Sequence, residues 1–256
     1  MSRALCMVLM LAWSAMAGAV QVETRGAVTH AGPHTLPDGA HLSDAALAAQ
    51  PLPQAYMLGA AWLRPGLLES QQRLKAGVLF DLVSLQRHAR VDDKQGLAAI
   101  AGTMHDWIAS QAITGRQSPA LLDPRVVEVN APKNHLVAAG DRLYYPLRPA
   151  TIRVVGAVLH ACTLPLVPLQ DARLYLAACV KSTAADLDSI YVIEPDGQVF
   201  VQQIALWNRD APRVLAPGAV IYVPLRARTV EAISPTLNSD IATFLATQVL
   251  PGPEAP

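Results

Sequence analysis

The segment Gly26-Ala27-Val28-Thr29-His30-Ala31 recurs 130 positions later as Gly156-Ala157-Val158-Leu159-His160-Ala161. A second pair of segments matches in the same way. Residues 139–148 read Ala-Gly-Asp-Arg-Leu-Tyr-Tyr-Pro-Leu-Arg, and residues 217–226 read Pro-Gly-Ala-Val-Ile-Tyr-Val-Pro-Leu-Arg. Because an opening and a closing segment both repeat, the chain contains two copies of one small fold. Repeated small folds without shared catalytic residues usually form binding surfaces, so the duplication favours a binding protein.

The order of predicted elements in the first copy is typical of a β-grasp fold. A strand over residues 20–28 is followed by turn residues at Gly32-Pro33 and Pro37-Asp38-Gly39, which predict a hairpin. A short helix capped by Ser43 or Asp44 then ends at Ala49, and a strand over residues 54–58 follows.

The second copy repeats this order, with strands over residues 151–159, 189–194 and 199–206 and a helix from Asp171 to about Cys179. Alignment of residues 42–45 with 169–172 lowers the offset from 130 to 127, which predicts a loss of three residues from the second hairpin. The fold class is therefore α+β, with two β-grasp domains.

A helical hairpin is predicted inside the first copy. Pro65 suits a first helical turn, and apolar residues then recur at helical spacing up to Leu85. A second helix begins after a cap at Asp92 or Asp93 and carries an apolar face up to Ile108.

Five segments follow from these patterns. Residues 1–19 form a signal peptide, residues 20–148 the first domain with a helical insertion at 65–112, residues 149–228 the second domain, and residues 229–256 a C-terminal amphipathic helix and tail.

The N-terminus predicts secretion. Arg3 precedes an apolar run from Ala4 to Met16, which is followed by the small residues that signal peptidase requires. The run is shorter than the about 20 residues of a membrane span, and no later run reaches that length. We therefore expect a periplasmic protein without a stable membrane span.

Charge argues against nucleic acid as a partner. The chain has 20 basic and 20 acidic side chains, and removal of Arg3 with the signal peptide leaves the balance near neutral. A protein that binds nucleic acid usually carries a marked excess of positive charge.

Two cysteines, Cys162 and Cys179, remain after the signal peptide. In an oxidising compartment they can form a disulfide that closes 17 residues and contributes about 3 kcal/mol. The alternative is a pair of buried free thiols.

Several short motifs accompany this order of elements, and together they resemble the GfcC-like group 4 capsule biosynthesis family. The motifs are Trp62-Leu63-Arg64-Pro65, residues 71–75 (Gln-Gln-Arg-Leu-Lys), Thr114-Gly115-Arg116, Asp123-Pro124-Arg125 and Leu206-Trp207-Asn208. The resemblance covers nearly the whole mature chain. It implies domains similar to the soluble-ligand-binding β-grasp (SLBB) repeats of Wza-type outer-membrane polysaccharide exporters. It also implies a periplasmic accessory protein of capsule or exopolysaccharide export, without an assigned reaction.

One departure from the repeats of those exporters concerns the second hairpin. Cys162 stands where the first copy has Gly32, and a positive φ at that position strains any residue except glycine. We therefore expect the second hairpin to turn differently.

Arg116 is the first candidate for ligand binding. It follows the second insertion helix, where we expect a cleft between the insertion and the first domain. A guanidinium there can bind a carboxylate, a phosphate or sugar hydroxyls. The alternative is an internal ion pair with Asp123 or Glu128.

Four weaker candidates share this chemistry: Arg64 and Arg125 as anion or hydroxyl ligands, and Trp62 and Trp207 as faces for sugar rings. Each tryptophan can equally be a core residue.

No catalytic motif, cofactor or metal site is predicted. His30, His34 and His41 lie close together in sequence, but their spacing is not that of a zinc site.

Two functions remain open. The first is a non-catalytic accessory that binds the polysaccharide or its outer-membrane exporter, with docking of a partner on the C-terminal helix as one alternative. The second is a glycan hydrolase or lyase with a site beside the insertion. It would need two converging carboxylates from a small set of acids: Asp81, Asp106, Asp123 and Glu128.

Overall fold

The computed structural model describes residues 18–252 and 255. The predicted signal peptide, residues 1–19, lies outside this part of the chain except for its last two positions. Among the helices of the described residues, none is both long and apolar enough to cross a membrane.

The first unit is built on a five-stranded mixed sheet. Its strands are β1 (Ala19–Gly26), β2 (Gly32–Pro37), β3 (Ala61–Leu63), β4 (Arg116–Gln117) and β5 (Arg142–Tyr145). They lie in the order β2-β1-β5-β3-β4, with β1 and β5 parallel and the other neighbours antiparallel. Helix α1 (Leu42–Ala49) packs its apolar side into the core of this sheet.

The second unit repeats this topology. Its strands are β6 (Thr151–Gly156), β7 (Cys162–Pro165), β8 (Ser189–Ile193), β9 (Val199–Gln203) and β10 (Val220–Val223). Their order is β7-β6-β10-β8-β9, again with one central parallel pair, β6 and β10. The predicted α+β class with two β-grasp-like domains is therefore confirmed.

Gly26 and Gly156 explain why the opening segment is repeated. Each ends the first strand of its copy with a positive φ, +87° and +99° respectively. A Cβ atom at either position would overlap the backbone oxygen of the parallel neighbour, Tyr145 or Val223. The next backbone N–H donates to that same oxygen, at 2.7 Å and 2.8 Å. Since only glycine tolerates both the φ angle and the close approach, both copies retain it.

Equivalent positions of the two copies differ by 130 residues from the first strand of each copy to the start of its helix. His41 and Asp171 each directly precede the helix of their copy. The hairpin turns comprise residues 27–31 and 157–161, so they are equally long. The predicted loss of three residues is therefore wrong. The prediction of a different turn is confirmed at this position, because Gly32 has a φ of +114° whereas Cys162 begins β7 without a positive φ.

The first copy has 52 additional residues between its third and closing strands. Trp62 pairs with Leu143 and Val192 pairs with Ile221, so the offset is 130 residues on the third strand and 78 on the closing strand. The additional residues contain the predicted helical hairpin, α2 (Leu68–Val91) and α3 (Gln95–Ser110). Lys94, and neither Asp92 nor Asp93, is the cap of α3.

Three local predictions in the first copy are wrong. Gly32 and Pro33 begin β2, where proline is tolerated because β2 is an edge strand. Residues 54–58 form a turn and enter a 3-10 helix, Met57–Gly59, directly after two prolines at 51 and 53. The cap of α1 is His41, whose backbone N–H donates to the Asp44 carboxylate at 2.7 Å.

In the second copy, the helix is a 3-10 helix over Ala172–Ala178 and not an α-helix. The remaining short elements are the 3-10 helices Pro65–Leu67 and Ala131–Lys133 and the helices α4 (Pro124–Glu128) and α5 (Ala227–Val230).

The helical hairpin packs on the second unit. Buried side chains such as Leu82 of α2 and Met104 of α3 belong to the same core as Ile221 of the second sheet. The first unit has a separate core that contains Trp62 and Leu143. The insertion belongs to the first copy in sequence but packs in the core of the second copy. It therefore joins the two copies.

The last helix, α6 (Leu237–Ala246), completes the core of the second unit. Ile241, Phe244 and Leu245, which form the predicted apolar stripe, are buried against the second sheet and the hairpin. Because the protein covers this stripe itself, the fold gives no support to docking of a partner on it.

Candidate functional site

Arg116 lies at the junction of the two units. As the first residue of β4 it is 4% exposed. Its guanidinium donates to the carbonyl oxygen of Gln248 at 2.6 Å and to that of Pro195 in the β8–β9 turn. Burial lowers the pKa of Arg116 to about 10, so it stays charged at neutral pH.

The surroundings of Arg116 are closed by protein. Gln71 of α2 donates to the Arg116 carbonyl oxygen at 2.9 Å and accepts from the Gly115 N–H at 2.8 Å. Among the described residues, neither Asp123 nor Glu128 forms an ion pair with Arg116. Arg116 thus binds backbone carbonyls of the tail and the second unit, and the depression that it lines with Arg153 and Glu194 has a volume of only about 20 Å³.

Trp62 is a core residue. It is 1% exposed, and its indole N–H donates to the Asp141 carboxylate at 2.9 Å. The Arg64 guanidinium lies over its ring at 4.4 Å, and the His135 ring stacks at 5.9 Å between centroids. The indole therefore has no open face for a sugar ring.

The other two candidates are exposed and separate. Arg125 lies on α4. Trp207 is 78% exposed in the loop after β9, next to Leu206, which is 87% exposed. Of the five candidates, the described contacts bring together only Arg64 and Trp62.

Cys162 and Cys179 are joined by a disulfide, which links the start of β7 to the residue after the 3-10 helix. The corresponding positions of the first copy are Gly32 and Ala49. The bond therefore holds the hairpin and the helix of the second copy together.

Two of the four acidic candidates have local roles. Asp123 accepts from the Arg125 N–H at the start of α4, and Asp106 accepts from His105 at 3.0 Å. No contact among the described residues joins two of the four acids into a catalytic pair. Likewise, the described residues contain no group of three or more metal ligands.

A cleft of about 560 Å³ lies between the turn of the helical hairpin and the second unit. We call it the hairpin cleft. Its walls come from the end of α2, the start of α3, the loop before β8, and α5 with the residues after it. The polar side chains on it are His88, Asp92, Lys94, Gln95, Thr183, Arg226, Arg228 and Thr229.

The sequence signal for this cleft was weak. Arg226 closes the repeated segment, and its counterpart Arg148 lies in the first copy, so the sequence marks Arg226 only as part of the duplication. Only the packing of the hairpin on the second unit brings Lys94 and Arg226 to one cleft.

Comparisons with known proteins cover both copies. A family model described as capsule biosynthesis GfcC, N-terminal, matches residues 16–148, and one described as capsule biosynthesis GfcC C-terminal matches residues 160–250. The chain is also similar to the uncharacterized protein YjbG of Escherichia coli (strain K12), at 28% identity over 236 residues. That alignment covers 91% of each chain.

Proposed function

Because the chain belongs to the GfcC capsule biosynthesis family, we propose that it is a non-catalytic periplasmic accessory in the assembly and export of a surface polysaccharide. It acts by binding the polysaccharide or the outer-membrane exporter. The observation that carries this proposal is the match of both family models, in order, to the two copies.

The architecture supports binding over catalysis. Both sheets have filled apolar cores, and α6 is used to complete the second one. Asp106 of α3 and Asp123 at the start of α4 each accept a hydrogen bond from a neighbouring group, and no described contact joins the two carboxylates. An open cleft with several hydrogen-bond donors suits recognition of a hydroxyl-rich ligand.

Periplasmic action depends on the predicted signal peptide, residues 1–19. Deletion of the gene is expected to reduce polysaccharide at the cell surface, and the full chain supplied in trans is expected to restore it. A matched chain that begins at Val20 after a new Met is expected to fail, because it stays in the cytoplasm. The readout is cell-associated and released polysaccharide, measured by uronic acid and total sugar assays.

Unchanged surface polysaccharide in the deletion strain would refute the accessory function. Full restoration by the chain without residues 1–19 would refute the periplasmic site of action.

A further inference from the structure

The hairpin cleft is lined by two arginines that form no ion pair with another described residue. Lys94 pairs with Asp92 at 2.9 Å, which cancels one charge of each sign. Arg226 and Arg228 are exposed, and neither forms an ion pair with another described residue. Two guanidinium groups therefore remain to attract an anion.

Three carboxylates near these arginines lie outside the lining of the hairpin cleft. Both arginines also line a neighbouring depression that contains Asp186, Asp188 and Glu231. The Asp186 carboxylate accepts from backbone N–H groups, among them those of Asp188 at 2.8 Å and Ser189 at 3.0 Å. These bonds satisfy Asp186 without a guanidinium partner.

The position of Arg226 is fixed before any ligand arrives. Its Nε donates to the carbonyl oxygen of Ala185 at 3.3 Å, which leaves the two terminal nitrogens of the fork for a ligand. Arg226 directly precedes the short helix α5, and Arg228 lies within that helix. Planar forks of this kind bind carboxylates through two parallel hydrogen bonds.

The rest of the cleft suits a sugar ring. Apolar side chains contribute one part of the lining: Leu85, Ala89, Leu97, Ala184 and Ile233. Thr183, Gln95 and Thr229 add hydroxyl and amide groups. A sugar presents apolar C–H faces and hydroxyls in the same way, and the volume lies within the range of small-molecule sites.

We propose that the hairpin cleft binds an acidic sugar unit of the polysaccharide, with Arg226 and Arg228 holding its carboxylate. Gln95, Thr183 and Thr229 bind its hydroxyls. This inference rests on the proposed function, which it deepens by naming the chemical class of the ligand.

The test uses tetragalacturonate as the probe and its methyl ester as the matched neutral ligand. Calorimetric titration of the mature protein at low ionic strength is expected to show binding of the acid and binding of the ester weaker by about tenfold or more. The double variant Arg226→Gln/Arg228→Gln is expected to lose affinity for the acid by a similar factor. The control variant Arg209→Gln, whose exposed guanidinium does not line the cleft, is expected to bind like the wild type.

A second measurement does not depend on the variants. Amide NMR shifts of the wild type are expected to change most at Gly96 and Thr183, which face each other in the cleft, where a Cβ at Gly96 would lie 3.7 Å from the Thr183 hydroxyl. Shift changes confined to other regions would overturn the assignment.

Equal affinity for acid and ester, unchanged affinity in the double variant, or no binding of the acid would each overturn the acidic-sugar proposal. None of these results tests the accessory function, because the deletion strain tests that function independently. If the deletion strain keeps its polysaccharide while tetragalacturonate binds as expected, the cleft assignment stands and the accessory function fails.

Discussion

At the scale of single residues, Arg116 has a structural role, because its guanidinium binds two backbone carbonyl oxygens. The guanidinium is buried and reaches the tail at Gln248 and the second unit at Pro195. Burial alone disfavours the charge, and the two charge-assisted hydrogen bonds offset that cost. Arg116 thus couples three parts of the chain.

Replacement of Arg116 by lysine is expected to lower the free energy of unfolding by about 1–3 kcal/mol. A lysine keeps the charge, but a single ammonium cannot reproduce the fork that reaches both carbonyls. Urea denaturation followed by circular dichroism measures the change, with Arg125→Lys as an exposed control expected within about 0.5 kcal/mol of the wild type. Equal stability of Arg116→Lys and the wild type would contradict the structural role.

Gly156→Ala is expected to destabilise the protein by more than about 2 kcal/mol. The new Cβ would overlap the Val223 carbonyl oxygen, and φ would remain at +99°. The matched control is Gly77→Ala, in the interior of α2 with no neighbour within 4 Å of the new Cβ. It is expected to stabilise by up to about 1 kcal/mol, since alanine favours a helix.

Thermal unfolding of both glycine variants measures whether Gly156→Ala lowers the stability and Gly77→Ala raises it. A Gly156→Ala protein as stable as Gly77→Ala would refute the reason given for the repeated segment.

At the scale of elements, the 3-10 helix of the second copy depends on Asp171. Burial raises the pKa of this carboxyl, but hydrogen bonds from Gln202, Arg173 and the backbone N–H of Arg213 outweigh it, so the pKa is lowered overall. The Gln202 amide donates at 2.9 Å and is itself buried. The carboxylate therefore fastens the start of the helix to β9.

A lowered pKa in the folded state gives a defined pH dependence. The stabilisation by Asp171 is present above the unfolded pKa of about 3.9 and is lost as the pH falls through the lower folded pKa. Asp171→Asn is therefore expected to be less stable than the wild type by about 1–3 kcal/mol at pH 7. The difference is expected to shrink below about pH 4. Melting temperatures of both proteins across this range measure it, and a difference independent of pH would contradict the role of the charge.

Helix α6 is expected to be required for folding. A chain that ends at Ser234 lacks Ile241, Phe244 and Leu245, which fill the core of the second unit. Such a chain is expected to lose cooperative unfolding, whereas a control chain that ends at Gly252 keeps it. Differential scanning calorimetry distinguishes the two. A well-folded chain ending at Ser234 would instead favour a detachable helix that docks elsewhere.

At the scale of the whole molecule, the hairpin, the second sheet and α6 share one core, while the first sheet has its own. The hairpin is connected to the first unit in sequence and packs on the second in space. Because the hairpin packs on the second unit, its turn reaches the loop before β8 and α5. The hairpin cleft lies between these parts.

Much of this fold was predictable from sequence, since the duplication and the helical periodicity are local patterns. The partner of the hairpin was not, because an apolar face such as that of Leu82 and Met104 does not specify which sheet it covers. The role of Arg116 was not predictable for a similar reason. Every residue has a backbone carbonyl, so the sequence does not show which carbonyl oxygens a guanidinium binds. Trp207 and Arg125 are both exposed, so both remain candidates for ligand binding.

The central proposal, which commits to the polysaccharide and not the exporter as the ligand, is that this protein binds the polymer without altering it. The most direct measurement incubates the mature protein with polymer purified from the producing cells and follows both by size-exclusion chromatography with light scattering. The account predicts that the protein elutes with the polymer and that the molar mass distribution of the polymer does not change. A shortened polymer, or protein and polymer that elute separately, would contradict it.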